Sequence, residues 1–565
     1  MFLDHRAPRR RAAFALSSLA CMASLAGHAA GQAAYLGIGS GIDGVGDLYG
    51  SSVAQLHDVN GDGINELLIG APGNDDAGLN AGAVFVINGL YATVIYQVKG
   101  KPGDELGWSV ANVGDVDGDG IDDFAAGRPG RSVAFAEAGA GSVYSGTDGH
   151  LLWTQDGTKA GARSGTVVAG AGDVDGDGFG DVLVGAPGYD GPNALTDANW
   201  GRAVLYSGDN GLPLKTFVGA AKDDRLGEAL AGVKDMNGDG RADFAIGIPG
   251  RETGGPPLFI VNGGTCEVYS GKTLGLMFSV DGIGGDEACG SSVAPIGDTD
   301  HDGLQEIAVG GPGWGDARGR VTVREGKTGA LLHVLEGPHL TNADRYGSAV
   351  AGAGDVNHDG FVDLLIGAPA TGTGSGGWSH VISGKDFTQY DSAFGSYPDW
   401  GFGTQIAAGL DTSDDGWPDA LYGMPHSTNQ GTDSGFVWSF QFVHYQPNIG
   451  LQGPGSASMV MYGTELYSGG VADLRIAYAP APFTPVYLIV SPFEATVPFK
   501  GGVLVPQLGN ALIFPLLSDA KSRVTLTGLP GGNGYQLVFL QALIPYAGAP
   551  QGWWLTNTVV AELLP

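Results

Sequence analysis

Basic residues, compact catalytic motifs and long apolar segments are all scarce in this chain. Lys and Arg number 28 against 60 Asp and Glu, for a formal net charge of -32. The basic footprint that nucleic-acid binding needs is therefore missing, and nucleic acid is not an expected partner. No Gly-x-Ser-x-Gly elbow, His-Glu-x-x-His sequence or other compact nucleophile signature stands out. We predict that the chain is not an enzyme.

One apolar run, residues 12–26, lies near the N-terminus behind four arginines and ahead of a stretch of small residues. The run is too short for a convincing membrane span, and the pattern is typical of a secretory signal. We assign residues 1–31 to a bacterial-type signal peptide, and we expect a protein that is secreted or held at the cell surface. No transmembrane segment is expected in the mature chain. Cleavage ahead of Cys21, as in lipoproteins, is the alternative.

Glycine and acidic residues are what the chain has in plenty. It contains 101 glycines, and a nine-residue acidic loop occurs seven times, with side-chain oxygens at positions 1, 3, 5 and 9 and glycine at position 6. The copies are DVNGDGINE from Asp58, DVDGDGIDD from Asp115, DVDGDGFGD from Asp173, DMNGDGRAD from Asp235, DTDHDGLQE from Asp298, DVNHDGFVD from Asp355 and DTSDDGWPD from Asp411. A single copy would be an ordinary polar turn, whereas seven copies in register indicate a common chemical role.

The loop pattern fits a calcium site, because Ca²⁺ takes roughly six to eight oxygen ligands that a tightly curled loop can supply. Side chains at positions 1, 3, 5 and 9 and the main-chain carbonyl at position 7 are the predicted ligands, and glycine at position 6 permits the turn. In order of position they are Asp58, Asp115, Asp173, Asp235, Asp298, Asp355 and Asp411; Asn60, Asp117, Asp175, Asn237, Asp300, Asn357 and Ser413; Asp62, Asp119, Asp177, Asp239, Asp302, Asp359 and Asp415; Ile64, Ile121, Phe179, Arg241, Leu304, Phe361 and Trp417; and Glu66, Asp123, Asp181, Asp243, Glu306, Asp363 and Asp419.

Each loop belongs to a wider repeating unit. Loop starts are 56 to 63 residues apart, and a period of this size is typical of propellers or solenoids. Ahead of each loop is a short strand that begins at a glycine, the start glycine, and behind it a strand that ends in Gly-x-Pro, whose glycine we call the stop glycine. The start glycines are Gly50, Gly107, Gly165, Gly227, Gly290, Gly347 and Gly403, and the stop glycines are Gly70, Gly127, Gly185, Gly247, Gly310, Gly367 and Gly423.

The unit resembles the FG-GAP repeat, the blade of the calcium-binding β-propeller at the head of integrin α chains. The resemblance implies an all-β fold with seven four-stranded blades, calcium loops between the first and second strands on one face, and ligands on the opposite face. We place this propeller at residues 32–444. Blade 7 lacks a fourth strand in sequence, so residues 33–38 are expected to complete it and close the ring.

The acidic residues have a definite place in this scheme. Of the 60 acidic residues, 24 lie at loop positions 1, 3, 5 and 9, so much of the negative charge is ligand charge. Up to seven Ca²⁺ ions are therefore expected, with a structural role. After signal removal Cys266 and Cys289 remain; a disulfide and two separate buried thiols are both compatible with the sequence, which does not give their Cα separation.

From about Tyr445 the repeat stops and strand-like runs alternate with Pro and Gly turns, so residues 445–565 are predicted to form a C-terminal β-sandwich domain. The best candidates for ligand contact are the loops after the Gly-x-Pro stops, at residues 189–200, 251–265 and around Trp314. The predicted function is cell adhesion or extracellular ligand recognition without catalysis, with an extracellular protein or glycan as partner. The alternatives are an extracellular polysaccharide-degrading or lipase-like propeller enzyme and a structural envelope protein.

Overall fold

The computed structural model describes the backbone of Ala34–Gly39, residues 45–441 except 192–197, 256–257, 338–342, 358, 370–375, 396–399, 415 and 429–431, and the strands between residues 458 and 563. The predicted signal peptide, residues 1–31, lies outside these residues. Residues 34–441 form seven four-stranded antiparallel sheets, so the predicted seven-bladed propeller is confirmed.

The strands follow the same order in every blade. They are, in blade 1, β2 (Ser52–Leu56), β3 (Glu66–Ala71), β4 (Ala83–Asn88) and β5 (Val94–Lys99); in blade 2, β6 (Val110–Gly114), β7 (Asp123–Gly127), β8 (Ala140–Tyr144) and β9 (Leu151–Asp156); in blade 3, β10 (Val167–Gly172), β11 (Asp181–Ala186), β12 (Arg202–Tyr206) and β13 (Pro213–Val218); in blade 4, β14 (Ala229–Gly232), β15 (Phe244–Ile248), β18 (Thr265–Tyr269) and β19 (Leu276–Asp281), with an inserted hairpin of β16 (Thr253–Gly255) and β17 (Leu258–Ile260); in blade 5, β20 (Ser292–Pro295), β21 (Ile307–Gly311), β22 (Arg320–Arg324) and β23 (Leu331–Glu336); in blade 6, β24 (Ala349–Gly354), β25 (Asp363–Ala368), β26 (Trp378–Ile382) and β27 (Gln389–Phe394); and in blade 7, β28 (Gln405–Ala408), β29 (Asp419–Met424), β30 (Phe436–Gln441) and β1 (Ala34–Gly39). A single helical turn, Trp314–Ala317, lies between β21 and β22.

The first strands of neighbouring blades contact one another around a closed ring, from β2 through β28 and back to β2. They therefore surround the propeller axis, and the fourth strands lie outermost. The second strand is buried throughout in every blade, and the third strand is buried throughout in blades 1, 2 and 6. Burial on both faces is why these strands read as continuous apolar runs rather than alternating ones.

The N-terminal strand closes the ring. β1 pairs antiparallel with β30, with Ala34 opposite Gln441 and Gly39 opposite Phe436. Blade 7 thus takes three strands from the end of the repeat and one from its beginning, as predicted from the strand count.

Among the described residues of the propeller, the hydrophobic core consists of seven clusters, each of which fills the space between two adjacent blades. The cluster that joins blade 7 to blade 1, for example, packs Leu421 and Val437 against Tyr49, Leu67 and Phe85. Each sheet buries both of its faces in this way. The blades therefore stabilise one another, and no blade has a hydrophobic core of its own within the described residues.

Backbone contacts at the start and stop glycines bring adjacent blades close together. The start glycine Gly107 has φ +88°, and a Cβ there would lie 3.0 Å from the Cα of the stop glycine Gly70 in blade 1. Just before it, Leu106 forms a parallel bridge with Gly82 of blade 1. The glycines that define the repeat are therefore contact points at which any side chain would separate the blades.

The C-terminal strands pair in a three-stranded, a five-stranded and a two-stranded sheet. They are β31 (Ser458–Gly463), β32 (Val471–Ala477), β33 (Pro485–Ser491), β34 (Glu494–Phe499), β35 (Gly502–Pro506), β36 (Leu512–Leu517), β37 (Val524–Pro530), β38 (Gln536–Pro545), β39 (Trp553–Leu555) and β40 (Val559–Leu563). The β content agrees with the sequence, whereas the packing of these sheets as a sandwich stays a prediction.

Candidate metal centres

The seven acidic loops all connect the first strand of a blade to the second. Because each blade is an antiparallel meander, these loops and the turns between third and fourth strands lie at one end of the propeller, which we call the loop face. Position 9 stands at the start of the second strand, and its carboxylate is fully buried in every loop. These seven residues are Glu66, Asp123, Asp181, Asp243, Glu306, Asp363 and Asp419.

The loop of blade 2 shows how the spacing produces the curl. Asp115 accepts hydrogen bonds from Gly118 N at 2.6 Å and from Gly120 N at 2.9 Å. Asp117 and Asp119 each accept one from the backbone N–H two residues further on, at 3.1 and 2.9 Å. These side-chain turns bend the backbone, and Gly120 supplies the φ of +85° that completes the bend.

The buried carboxylate at position 9 fastens the loop to its own blade. In blade 2, Asp123 accepts hydrogen bonds from Val116 N at 2.8 Å and from Gly146 N, at the turn after the third strand, at 2.9 Å. Burial, reinforced by the neighbouring carboxylate of Asp117, raises the pKa of Asp123 to about 6. Burial and nearby carboxylates likewise raise the pKa to about 8 at Glu66, to about 7 at Glu306 and Asp363, and to about 6 at Asp181 and Asp243.

Four of the loops bring three or more carboxylates together, with one oxygen of each within 4.8 Å of the others. The groups are Asp58, Asp62 and Glu66; Asp115, Asp117 and Asp123; Asp173, Asp175 and Asp181; and Asp298, Asp300, Asp302 and Glu306. Position 5 is missing from the groups of blades 2 and 3. In blade 2, Asp119 accepts hydrogen bonds from Ile121 N and from Thr147 Oγ1 in the neighbouring turn. These clusters could hold metal ions.

In blades 4 and 6 position 3 is asparagine, and its side-chain amide lies against the carboxylate at position 9. Asn237 Nδ2 donates to Asp243 at 3.0 Å, and Asn357 Nδ2 donates to Asp363 at 3.5 Å. Groups of three carboxylates are not found in these two loops among the residues that the structure describes. The turn hydrogen bonds of blade 2 nevertheless recur at positions 1 and 5, namely at Asp235, Asp239, Asp355 and Asp359.

The loop of blade 7 keeps the same frame with a serine at position 3. Asp419 accepts hydrogen bonds from Thr412 N and Ser413 N, both at 2.8 Å, and Ser413 Oγ lies 3.5 Å from Asp411 Oδ1. The predicted ligand Asp415 lies outside the described residues.

The hydrogen bonding of Glu306 in blade 5 indicates whether these residues fit a cation. Its Oε2 accepts hydrogen bonds from Thr299 N at 2.5 Å and Thr299 Oγ1 at 2.9 Å. Its Oε1 is buried and has no hydrogen-bond partner in the part of the chain that the structure describes. A buried carboxylate oxygen without a donor is unfavourable unless a cation compensates it. The all-oxygen donor set suits a hard divalent cation.

The side chain at position 7 lies across position 4 of the preceding loop, a contact that the sequence did not predict. A Cβ at Gly118 would lie 3.1 Å from the ring of Phe179, and the ring of Phe361 is 4.2 Å from that of the exposed His301. His358, the other histidine at position 4, lies outside the described residues. The main-chain carbonyl of position 7 was predicted to bind the ion of its own loop. The side chain of position 7 contacts the loop of the preceding blade.

Position 8 extends these contacts around the loop face. Gly180 N donates to the carbonyl of Asp115 at 3.4 Å. Between blades 1 and 7, Asn65 Nδ2 donates to the carbonyl of Asp411 at 2.7 Å. Adjacent loops are therefore in direct contact, including across the junction where the ring closes.

The loops after the Gly-x-Pro stops lie at the end opposite the loop face, as the strand order requires. Blade 4 differs from the others because its loop contains the hairpin of β16 and β17, which was not predicted. Leu258 and Phe259 on this hairpin are 79% and 60% exposed. Val261 and Ile283 are also exposed. A hydrogen bond from Asp286 N to the Val261 carbonyl links the two segments in which they lie.

Two predicted aromatic anchors on this opposite face are engaged within the fold. The guanidinium of Arg320 lies 4.2 Å from the ring centre of Trp314 and forms a buried ion pair with Glu287 at 2.5 Å. Tyr189 has Lys159 Nζ 4.7 Å and Arg202 Cζ 5.5 Å from its ring centre. These rings are held in place by cations of the propeller itself.

Cys266 and Cys289 are separate thiols, both buried in the core between blades 4 and 5. Of the two arrangements that the sequence allowed, the structure shows the unpaired one. Burial raises the pKa of both thiols, to about 12 for Cys289.

Comparison with known proteins agrees with the blade anatomy. The FG-GAP repeat family matches residues 49–87, 106–145, 164–202 and 346–377, which correspond to blades 1, 2, 3 and 6. Four blades of this chain are therefore FG-GAP repeats. Its propeller is integrin-alpha-like: integrin alpha-V of Gallus gallus is 31% identical over 207 residues, covering 35% of this chain and 19% of the integrin.

Two further integrins are similar to part of this chain. Integrin alpha-PS2 of Drosophila melanogaster is 32% identical over 218 residues, covering 34% of this chain and 14% of the integrin. Integrin alpha-IIb of Homo sapiens is 33% identical over 158 residues, covering 25% of this chain and 14% of the integrin. The alignments thus span a fifth or less of the integrins that they match.

A solved structure described as "Structure of Dos1 propeller" aligns over 69% of this chain and 77% of that one, at 11% identity and a TM-score of 0.39. Within the described residues, no helix combines the length and the apolar character that crossing a bilayer would require.

Proposed function

We propose that the seven loops bind Ca²⁺ and that up to seven ions stabilise the propeller. The ligands would be the side chains at positions 1, 3, 5 and 9 and the carbonyl at position 7, as assigned from the sequence. Buried Glu306 carries this proposal, because its Oε1 has no hydrogen-bond partner among the described residues and one of its carboxylate oxygens lies within 4.8 Å of those of Asp298, Asp300 and Asp302. A bound ion supplies the positive charge that lets such carboxylates lie together ionised.

Calorimetric titration of chelator-treated protein with CaCl₂ tests the metal proposal directly. We expect several binding events and a higher melting temperature in calcium, because a ligand that binds only the folded state stabilises it. Glu306→Gln should remove or weaken one event, since the amide keeps the shape but lacks the charge. A melting temperature indifferent to both calcium and chelator would refute a structural role for calcium.

For the whole protein we propose adhesion or extracellular ligand recognition without catalysis, at the cell surface or after secretion. The FG-GAP matches and the integrin alpha relatives support this function. The opposite face supports it as well, because the hairpin of blade 4 presents Leu258 and Phe259 to solvent. Large apolar side chains on a rigid loop are typical anchors of a protein or glycan interface.

The recognition proposal is tested by probing arrays of extracellular proteins and glycans with the full chain in calcium. We expect retention that Leu258→Ser and Phe259→Ser abolish. Leu276→Ser is the matched control, since Leu276 is 55% exposed on the outer strand of the same blade. Release of products from any arrayed glycan or ester would refute the non-catalytic part of the proposal, and equal losses in all three variants would refute the role of the hairpin.

The domain limits are part of the same proposal: a signal peptide at residues 1–31, the propeller at 32–444 and a β-sandwich at 445–565. The pairing of the C-terminal strands in three sheets supports a separate β domain. Limited proteolysis in calcium should cut near residue 445 and release a resistant propeller. Mass spectrometry of the exported protein gives the N-terminal limit.

A further inference from the structure

The loops of blades 2 and 3 have the same ligands but different neighbours. Both carry aspartate at positions 1, 3, 5 and 9, and in both the aspartates at positions 1, 3 and 9 gather within 4.8 Å. Phe179 of blade 3 covers position 4 of the blade 2 loop, and Arg241 of blade 4 covers position 4 of the blade 3 loop. Arg241 is the one charged residue among the seven at position 7.

The guanidinium of Arg241 lies directly on the blade 3 loop. Its Nη1 is 3.8 Å from Oδ1 of Asp173, the ligand predicted at position 1. A Cβ at Gly176 would coincide with the guanidinium, so this glycine provides the space that the group fills. Ala242 N donates to the carbonyl of Asp173 at 3.1 Å and holds the two loops together beside it.

The backbone of Arg241 is fixed by its own loop. Its N–H donates to Asp239 Oδ1 at 3.1 Å, so the side chain starts from a defined position in blade 4 and reaches across the interface into blade 3. A cation held in this way next to a metal ligand repels a metal ion and neutralises part of the ligand charge.

We propose that Arg241 is a tethered cation that lowers the calcium affinity of the blade 3 loop below that of the blade 2 loop, which carries the same four aspartates at positions 1, 3, 5 and 9. The inference rests on the proposed calcium binding and adds a rank order to it. One exposed unit charge acting on a divalent ion changes affinity by roughly tenfold. As free calcium falls, the blade 3 loop therefore empties before the blade 2 loop, and Arg241 remains there as a resident positive charge.

The test is a competitive calcium titration of the full chain against a chromophoric chelator. Arg241→Gln should tighten one binding step roughly tenfold. Lys215→Gln removes the same charge from the outer strand of blade 3, where Lys215 lies over Phe217, and should leave every step unchanged. The reciprocal variant Phe179→Arg should weaken a different step by a similar factor.

Assignment to blade 3 uses Asp175→Asn, which removes one predicted ligand charge from that loop. The step that Asp175→Asn weakens should be the same step that Arg241→Gln tightens. Circular dichroism in saturating calcium, compared with the native protein, establishes that each variant is folded.

Two results would overturn the role of Arg241, and only the second would also overturn the proposed calcium binding. If native protein binds calcium but Arg241→Gln leaves every step unchanged, or shifts the steps as Lys215→Gln does, the role of Arg241 is refuted and the calcium proposal stands. If native protein binds no calcium in this titration, both proposals are refuted.

Discussion

Gly50 of blade 1 and Gly423 of blade 7 lie in backbone contact where the ring closes. A Cβ on Gly50, which has φ +84°, would lie 3.3 Å from the Cα of Gly423, and a Cβ on Gly423 would overlap the carbonyl oxygen of Gly50. Gly50 N also donates to the carbonyl of Gly70 at 2.9 Å within its own blade. The start glycine thus links its own second strand to that of the preceding blade.

Gly423→Ala should destabilise the propeller by about 3 kcal/mol, because the added methyl meets backbone atoms that cannot rotate away. Guanidinium denaturation in calcium measures the loss. Gly255→Ala is the matched control, since no atom lies within 4 Å of a Cβ there and its φ is not positive. Equal stability of the two variants would show that the blade contact is looser than the structure indicates.

Deleting residues 34–39 should open the ring. β30 would lose its partner β1, and an unpaired edge strand invites association with other chains. We expect a lower melting temperature and concentration-dependent oligomers by light scattering. A synthetic peptide of residues 33–40 added in trans should restore both properties, and a monomeric, fully stable deletion variant would contradict the closure.

The chelated protein should become less stable as the pH rises from about 5 to about 8. Burial raises the pKa of Glu66 to about 8 and that of Glu306 to about 7, above the values near 4.5 expected in the unfolded chain. The folded state therefore binds more protons than the unfolded state in this interval, and its stability decreases as those protons leave.

Calcium should reverse this trend, because it compensates the same carboxylates in their ionised form. We expect the increase in melting temperature caused by calcium to be larger at pH 8 than at pH 5.5. Thermal scans at both pH values, with chelator and with calcium, give the four temperatures needed. A calcium increment independent of pH would contradict the assignment of the position 9 carboxylates as ligands.

In a Cys21→Ser protein, neither remaining thiol should react with Ellman's reagent at pH 8 in the native state, and two should react after unfolding. Burial raises the pKa of both Cys266 and Cys289, so access and thiolate formation are both suppressed. A reducing agent should leave the melting temperature unchanged, whereas a fall would indicate a disulfide between them.

The repeat made the propeller predictable. Seven loops in register, the strands on either side and the missing fourth strand of blade 7 were enough to predict the blade count and the closure by β1. The strand order places the seven loops on one face, as the resemblance implied. The ligand set stays a prediction from the spacing within nine residues, and the burial of position 9 was not predicted.

The side-chain contacts between blades could not be predicted from the sequence. Arg241 and Asp173 are in different repeats, and nothing in either repeat indicates that position 7 reaches position 4 of the preceding one. The hairpin of blade 4 was hidden in a segment read as a loop, because β16 and β17 have only three residues each. The C-terminal strands carry no repeat, so their arrangement as a sandwich has no comparable support.

The pairing of β1 with β30 also determines how the ring responds to mechanical load. Ala34 and Gln441 are opposite each other, so tension applied between these two residues would peel this ladder open one hydrogen bond at a time. Tension between Gln441 and a ligand on the opposite face would instead run along β30, which is flanked by β1 on one side and β29 on the other. Both ladders would then be loaded in shear, and the ring would resist pulling in that direction far better than it resists being pulled apart by its ends.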